Sequence, residues 1–230
     1  MRFAGLGARL LVTGRRTLSP ADVSERYPLA GGSVDFLAAD LTEPTAADRL
    51  VDHAVKLFGG LDVLVNNAGV LFRGTALECT DEEWDMTWRT NVTAAFQLSR
   101  AAVRVMKKKA AGCIVNVASD WGLVGARRAV AYGVSKGALI QLTRSMALDH
   151  AGDGIRINAV CPGDTDTAML DDAMSKLPRA KVLAALGQAI PMGRVGRPAE
   201  IADAICFLAS EQASFITGAA LPVDGGNTAG

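Results

Sequence analysis

Residues 8–16 read ARLLVTGRR. An apolar run that ends in Thr13-Gly14 is how a strand enters a turn whose amides and following helix hold phosphate. Either this is a nucleotide-binding loop or it is a strand that only resembles the start of one. The layout of the whole chain depends on which.

Outward from this stretch, apolar runs alternate with helical patterns, the βαβ signature of a parallel sheet. Ser19-Pro20 caps a short helix. SVDFLAADL (33–41) reads as a strand, and PTAADRLVDHAVKLF (44–58) carries apolar positions at helical spacing up to Gly59-Gly60. LDVLVNNAG (61–69) is a strand running into a turn. A long helical pattern over 81–109 precedes the strand GCIVNVAS (112–119). Another helix over 130–151 leads to the strand GIRINAVCPG (154–163). Helical stretches near 167–186 and over 198–210 precede a last strand, AALPVDGG (219–226). The expectation is an α/β fold, a doubly wound parallel sheet in a single domain over 1–230, with the irregular region 164–196 as a mobile lid.

Composition narrows the class. Half the residues are hydrophobic and 5% aromatic, a mixture that suits buried parallel strands under Ala-rich helices. With 24 basic and 24 acidic residues, no nucleic-acid footprint is indicated. The basic run Lys107-Lys108-Lys109 fits a helix C-terminus, where cations are favoured. Cys79, Cys113, Cys161 and Cys206 form no C-x-x-C pair and read as reduced thiols of a cytoplasmic protein. Two histidines, His53 and His150, are too few for a metal site or a Ser-His-Asp triad. No apolar run is long enough to span a membrane, and Arg9 interrupts the N-terminal apolar stretch, which argues against a signal peptide.

The strongest chemical signal is SDWGLVGARRAVAYGVSK (119–136). Tyr132 and Lys136 stand i, i+4 on a helix, on one face and a turn apart. A phenol titrates near 10, which makes it a poor base at neutral pH. An ammonium about 4 Å away favours the phenolate by up to ~4 kcal/mol at an effective dielectric of ~20, before burial subtracts from it. Tyr-x-x-x-Lys also arises by chance. Ser119, however, lies thirteen residues before Tyr132, NNAG (66–69) ends a strand, and Asn91 opens NVTAAF. With PGDTDTAM (162–169) and ITGAALPVDGG (216–226), these resemble the short-chain dehydrogenase/reductase family along the whole chain, in the family's order and spacing.

The resemblance implies a hydride transfer between a nicotinamide cofactor and an alcohol or ketone. It places a tetrad on Asn91, Ser119, Tyr132 and Lys136. Ser119 would hydrogen-bond the substrate oxygen and Tyr132 would exchange the proton there. Lys136 would depress the tyrosine and hold the nicotinamide ribose, and the Asn91 backbone would bind a water linked to Lys136. The alternative for Asn91 taken alone is a helix polar residue packing against its neighbour strand. Further implied cofactor contacts are Asp40 and Leu41 at adenine, Asn67, Ala68 and Gly69 along the adenosine ribose, and Pro162, Gly163, Thr165 and Thr167 at the nicotinamide and pyrophosphate. Trp121, Leu123, Val124 and Met169 would face a moderately apolar substrate, with Arg127 nearby. The roles of Asp164 and Asp166 stay open. The resemblance also implies a homotetramer paired through helices 81–109 and 130–151.

The family's phosphate turn, Thr-Gly-x-x-x-Gly-x-Gly, would need glycines near 18 and 20, where Leu18 and Pro20 stand. Residues 2–16 instead look like the end of the first helix, a Gly-Ala turn and strand two. The first strand, the glycine loop and most of the first helix are therefore expected to be absent, and that strand would contribute on the order of 10 kcal/mol. Two expectations follow: an oxidoreductase whose sequence here starts too late, or a truncated, catalytically silent member acting as a binding or interface subunit. Where NAD-preferring relatives carry an acid, this chain has Gly14 followed by Arg15 and Arg16. Arginine can pair with a 2′-phosphate, so NADP(H) is favoured over NAD(H). The alternative is that Arg15 stacks on adenine and Arg16 is solvated.

Overall fold

The structure is a computed structural model that describes residues 2–26, 33–170 and 178–230. Its elements in chain order are α1 (Arg2–Gly5), β1 (Arg9–Gly14), α2 (Pro20–Arg26), β2 (Ser33–Ala38), α3 (Ala46–Phe58), β3 (Val63–Asn66), α4 (Asp81–Trp88), α5 (Ala94–Met106), β4 (Gly112–Val117), α6 (Val130–His150), β5 (Ile155–Pro162), α7 (Arg179–Gly187), α8 (Pro198–Ala209) and β6 (Ala220–Val223). All strand pairs are parallel. The α/β class and the parallel sheet are as the sequence pattern implies.

The strands form two sheets, β1-β2 and β3-β4-β5-β6. In the first, Arg9 lies opposite Ser33 and Gly14 opposite Ala38, so ARLLVTG is a strand paired in parallel with residues 33–38. A short helix and then Gly7 at φ 81° precede the strand. Among the described residues β1 pairs as a strand with β2 alone and β3 with β4 alone. The small sheet is tied to the rest through side chains, with Leu11 and Leu37 packed on Ala47, Leu50 and Leu98.

In β4 and β5 nearly every residue is buried, because both faces are covered. Alternation along β4 sends Ile114 to one face, against Met106 of α5 and Met146 of α6. Cys113, Val115 and Val117 go to the other face, against Ile201, Ile205 and Leu208 of α8. A buried polar ladder crosses the first face. Asn66 donates to Asn116 (2.8 Å) and Ser99 (2.9 Å), and Asn116 donates to Thr143 (2.8 Å). It fixes β3, β4, α5 and α6 in one register just below the strand ends.

Two expectations shift. The helix expected near 167–186 is a short 3-10 turn, Ala168–Leu170, and then α7 from Arg179; residues 171–177 lie outside the described residues. Pro178, the N-cap of α7, is the break in that stretch that apolar spacing alone passes over. The long helix over 81–109 is present, but it contains a π turn at Arg89–Thr93 and ends in a 3-10 turn at Lys107–Lys109.

Because β1 and β2 are half-buried and paired on one side only, their amides should exchange at least about tenfold faster than those of β4 and β5. Hydrogen exchange read by mass spectrometry checks this. Equal protection across both sheets would contradict it.

Candidate active site

Parallel strands put their carboxyl ends on one edge of the sheet, where loops build sites. β4 ends at Val117, and Ser119 opens a 3-10 turn over Asp120–Gly122. That turn lies directly on the backbone of α6. A Cβ on Gly122 would stand 2.7 Å from the Lys136 carbonyl carbon and 2.9 Å from the Gly137 nitrogen. Gly133 meets the same turn from the helix side, its Cβ position 3.2 Å from the Trp121 carbonyl oxygen. Only glycine permits so close an approach.

The contact buries both helix residues singled out by spacing. Tyr132 is 8% exposed and Lys136 3%. The Lys136 amine donates to the Val117 carbonyl at 2.7 Å and lies 5.5 Å from the centre of the Tyr132 ring. Trp121 packs edge-on against that ring at 5.9 Å, and the Arg73 guanidinium sits 5.0 Å over Trp121. Burial pushes the Lys136 amine down to about 8.

The expected depression of Tyr132 is corrected by the structure. Burial, with the nearby Asp120 and Asp164 carboxylates, pushes the phenol up to about 12, opposed by the Ser119 hydrogen bond. Desolvation outweighs the lysine because the amine is turned to Val117. The phenol is therefore neutral across the physiological range.

Asn91 lies inside the π turn, 1% exposed. The turn is marked by the Ala94 N–H donating to the Arg89 carbonyl five residues back, an irregularity frequent at functional sites. The Asn91 side chain is fully engaged. Its amide donates to the Val70 carbonyl and the Ser135 hydroxyl, both at 3.0 Å, and its oxygen accepts from the Val70 N–H at 2.8 Å. Ser135 in turn donates to the Tyr132 carbonyl at 2.7 Å. Asn91 thus clamps the loop after β3 to α6. At Gly69 in that loop, a Cβ would stand 3.4 Å from the Asn91 oxygen and 3.5 Å from the Lys136 amine. The structure therefore brings Asn91, Ser119, Tyr132, Lys136 and Gly69 together.

The remaining predicted residues fall on the same edge. Gly14 closes β1, with Arg15 and Arg16 exposed beyond it. Asp40, past the end of β2, is exposed and feels the charge of Arg15; Leu41 follows it. Asn67 and Ala68 are exposed past β3. Pro162, Gly163 and Thr165 are half-buried at the end of β5, where Thr165 pairs with Gly196, and Thr167 is exposed. Leu123 (36% exposed), Val124 (44%) and Met169 (37%) form an apolar rim with Trp121, and Arg127 is exposed beyond them. Asp166 is paired with Arg179, whereas Asp164 is held above its ordinary value by burial and by Asp120.

Sequence reasoning missed three participants. Asp120 is buried against Ser119, Gly122 docks the turn, and Asn227 near the C-terminus reaches Asp120 at 2.9 Å. A carboxylate placed directly after Ser119 was the one available signal. Among the described residues no group of His, Cys, Asp or Glu could hold a metal ion, and no helix is long and apolar enough to cross a membrane.

The chain is similar along its length to known proteins. A family described as enoyl-(acyl carrier protein) reductase matches residues 1–228. An uncharacterized oxidoreductase of Thermotoga maritima is 41% identical over 99% of this chain and 90% of its own length. Meso-2,3-butanediol dehydrogenase of Serratia marcescens is 41% identical over 99% of this chain and 88% of its own. Among solved structures, ElxO with NADP bound superposes with a TM-score of 0.88 at 31% identity, covering 96% of this chain and 88% of that one. The chain belongs to the short-chain dehydrogenase/reductase family of oxidoreductases.

The docking of the turn on α6 sets a clear contrast between two nearby glycines. Gly122→Ala should lower stability by about 1–3 kcal/mol, since backbone on both sides must move. Gly125→Ala, where a Cβ meets nothing within 4 Å, should change it little. Urea unfolding of both variants measures the difference.

Proposed function

We propose that the chain transfers hydride between NADP(H) and an alcohol or ketone, with Tyr132 exchanging the proton at the substrate oxygen. The observation that carries this reading is the buried Tyr132, its phenol hydrogen-bonded to Ser119 and its ring centre 5.5 Å from the Lys136 amine. The structure offers a fit for the dinucleotide at its nicotinamide end. Gly69 leaves a cradle that a side chain would fill, facing the Lys136 amine at 3.5 Å. At the other end, Arg15 and Arg16 stand exposed where no acid would repel a 2′-phosphate. The structural relative ElxO has NADP bound, which supports NADP(H) over NAD(H). A glycine-rich turn for the pyrophosphate is not found in residues 8–20, so VTGRR belongs to the adenosine end.

The dinucleotide, when bound, supplies or accepts the hydride. In the reducing direction Tyr132 gives its hydroxyl proton to the substrate oxygen, for which a neutral phenol is the required form. Ser119 donates to the same oxygen and stabilises the charge developing there. The Lys136 ammonium lowers the cost of leaving a phenolate behind, and holds the ribose. Asn91, through its main chain in the π turn, opens a path for Tyr132 to recover a proton by way of Lys136. Asn67, Ala68 and Gly69 line the adenosine ribose, Asp40 and Leu41 the adenine, and Pro162, Gly163, Thr165 and Thr167 the nicotinamide side. Residues 164–196 act as the substrate lid of one catalytic domain spanning 1–230. The rim of Trp121, Leu123, Val124 and Met169 suits a moderately apolar substrate.

The reading extends to the assembly. Phe96 on α5 and Val134 and Leu148 on α6 are exposed apolar side chains (40%, 45% and 84%), which supports a homotetramer paired through these helices. Four free thiols are consistent with work in the cytoplasm.

Tyr132→Phe should lower kcat by about 100-fold or more and leave dinucleotide binding nearly unchanged, because the ring still packs on Trp121. Lys136→Ala should lose both activity and affinity. Turnover of ketones with NADPH, together with calorimetric titration of NADP and NAD, decides. Retention of most activity by the phenylalanine variant would sink the assignment, and equal affinity for both dinucleotides would sink the role of Arg15 and Arg16.

A further inference from the structure

Ser119 does not meet the substrate side of the site alone. Its hydroxyl donates to Asp120 Oδ1 at 2.9 Å, and its oxygen accepts from the Trp121 N–H at 3.2 Å. Asp120 is 3% exposed, and its two oxygens are treated differently. Oδ2 accepts from the Asn227 amide at 2.9 Å. Oδ1 accepts from Trp121 N–H at 2.8 Å and faces Ser119 Oγ. Asn227 is delivered from the C-terminal segment, which Asp224 folds by accepting from Gly226 N–H (3.0 Å), Thr228 N–H (2.9 Å) and the Thr228 hydroxyl (2.6 Å). A carboxylate in this position commits the Ser119 proton to itself. A substrate oxygen then finds an acceptor at Ser119 where ketone reduction needs a donor.

We propose that Asp120, held by Asn227, is a positioning residue whose protonation sets the direction in which the Ser119 hydroxyl donates. This rests on the reading of Ser119 as the partner of the substrate oxygen. When Asp120 is ionised, Ser119 donates to Oδ1 and can accept from an alcohol O–H, the arrangement that suits oxidation. When Asp120 is protonated, Oδ1 carries the proton, because Oδ1 is the oxygen with an acceptor, Ser119 Oγ, in reach. The same 2.9 Å contact then runs from Asp120 to Ser119, and the Ser119 proton is released toward a ketone oxygen. The proton on Asp120 is not consumed, and the reaction's own proton still comes from Tyr132.

The surroundings favour such a titration. Burial and the Asp224 carboxylate push Asp120 above its ordinary value, while the hydrogen bonds from Asn227, Ser119 and Trp121 pull it down. Tyr132 on α6, Cys161 at the end of β5 and Asp164 beyond it all feel the Asp120 charge, and Arg73 acts on Asp164 from the loop after β3. The sign follows from these partners. Reduction should gain as pH falls through the Asp120 titration, and oxidation should lose.

The test compares wild type, Asp120→Asn and Asn227→Ala with NADPH or NADP and a ketone–alcohol pair, as kcat/KM against pH in both directions. Wild type should show a limb on the acid side, of opposite sense in the two directions, that Asp120→Asn lacks. Asn227→Ala removes a hydrogen bond to the ionised form, so the limb should move up by about one pH unit. Carbon-13 NMR of the aspartate carboxyls reads the same event without turnover. The Asp120 and Asp164 carboxyls should titrate above the rest; the Asp120 signal should vanish in Asp120→Asn and move up in Asn227→Ala, and the Asp164 signal should move down in Asp120→Asn. Superimposable profiles of wild type and Asp120→Asn overturn the proposal, as does a limb or Asp120 carboxyl titration that Asn227→Ala leaves in place. A protein that turns over no ketone instead removes the reading of Ser119, while the NMR titration still reports whether Asp120 behaves as described.

Discussion

The site depends on one close approach of two backbones. The turn after β4 lies on α6 so tightly that a single methyl at Gly122 would collide with main-chain atoms of Lys136 and Gly137. That contact closes water out from the Lys136 side chain. An amine so deeply buried needs a partner, since an unpaired buried cation is costly, and the Val117 carbonyl at the end of β4 supplies it. The same contact brings Trp121 against the Tyr132 ring and holds Ser119 beside the phenol. Loosening it would hydrate the lysine, release the tyrosine and separate the three groups together.

Other segments then add to this joint. The π turn carries Asn91, whose amide ties the loop after β3 to Ser135 on α6. The polar ladder of Asn66, Asn116 and Thr143 fixes the strands beneath. The C-terminal segment reaches back through Asn227 to Asp120. The electrostatic result is a neutral phenol among carboxylates, flanked by an amine whose pKa is lowered to about 8.

Much of this was legible in the sequence for local reasons. A helix fixes i, i+4 geometry, so Tyr132 and Lys136 share a face wherever the helix lies. Residues 9–14 were legible as a strand that does not run into the family's glycine turn, because residues 18 and 20 are Leu and Pro. What stayed hidden was set by distant partners. Tyr132 was expected low because spacing gives the lysine's nearness but neither the depth of burial nor the pull of Val117 on its amine. Asp120 and Asn227 are 107 residues apart, and no local pattern joins them. The π turn at Asn91 has no sequence signature of its own. Past Thr167 the apolar spacing continued and the break at Pro178 was passed over, so one helix was expected where the described residues hold a 3-10 turn and α7.

The central claim is that this joint moves a hydride and a proton to one carbonyl group. Its most direct measurement uses NADPH deuterated at the transferring carbon of the nicotinamide, a set of small apolar ketones, and mass spectrometry of the alcohols formed. One deuterium on the carbinol carbon, retained in ordinary water, is expected with wild-type protein, and the labelled alcohol should form about 100-fold or more slower with Tyr132→Phe. Alcohol formed without the label, or formed as fast by the phenylalanine variant, would contradict the claim.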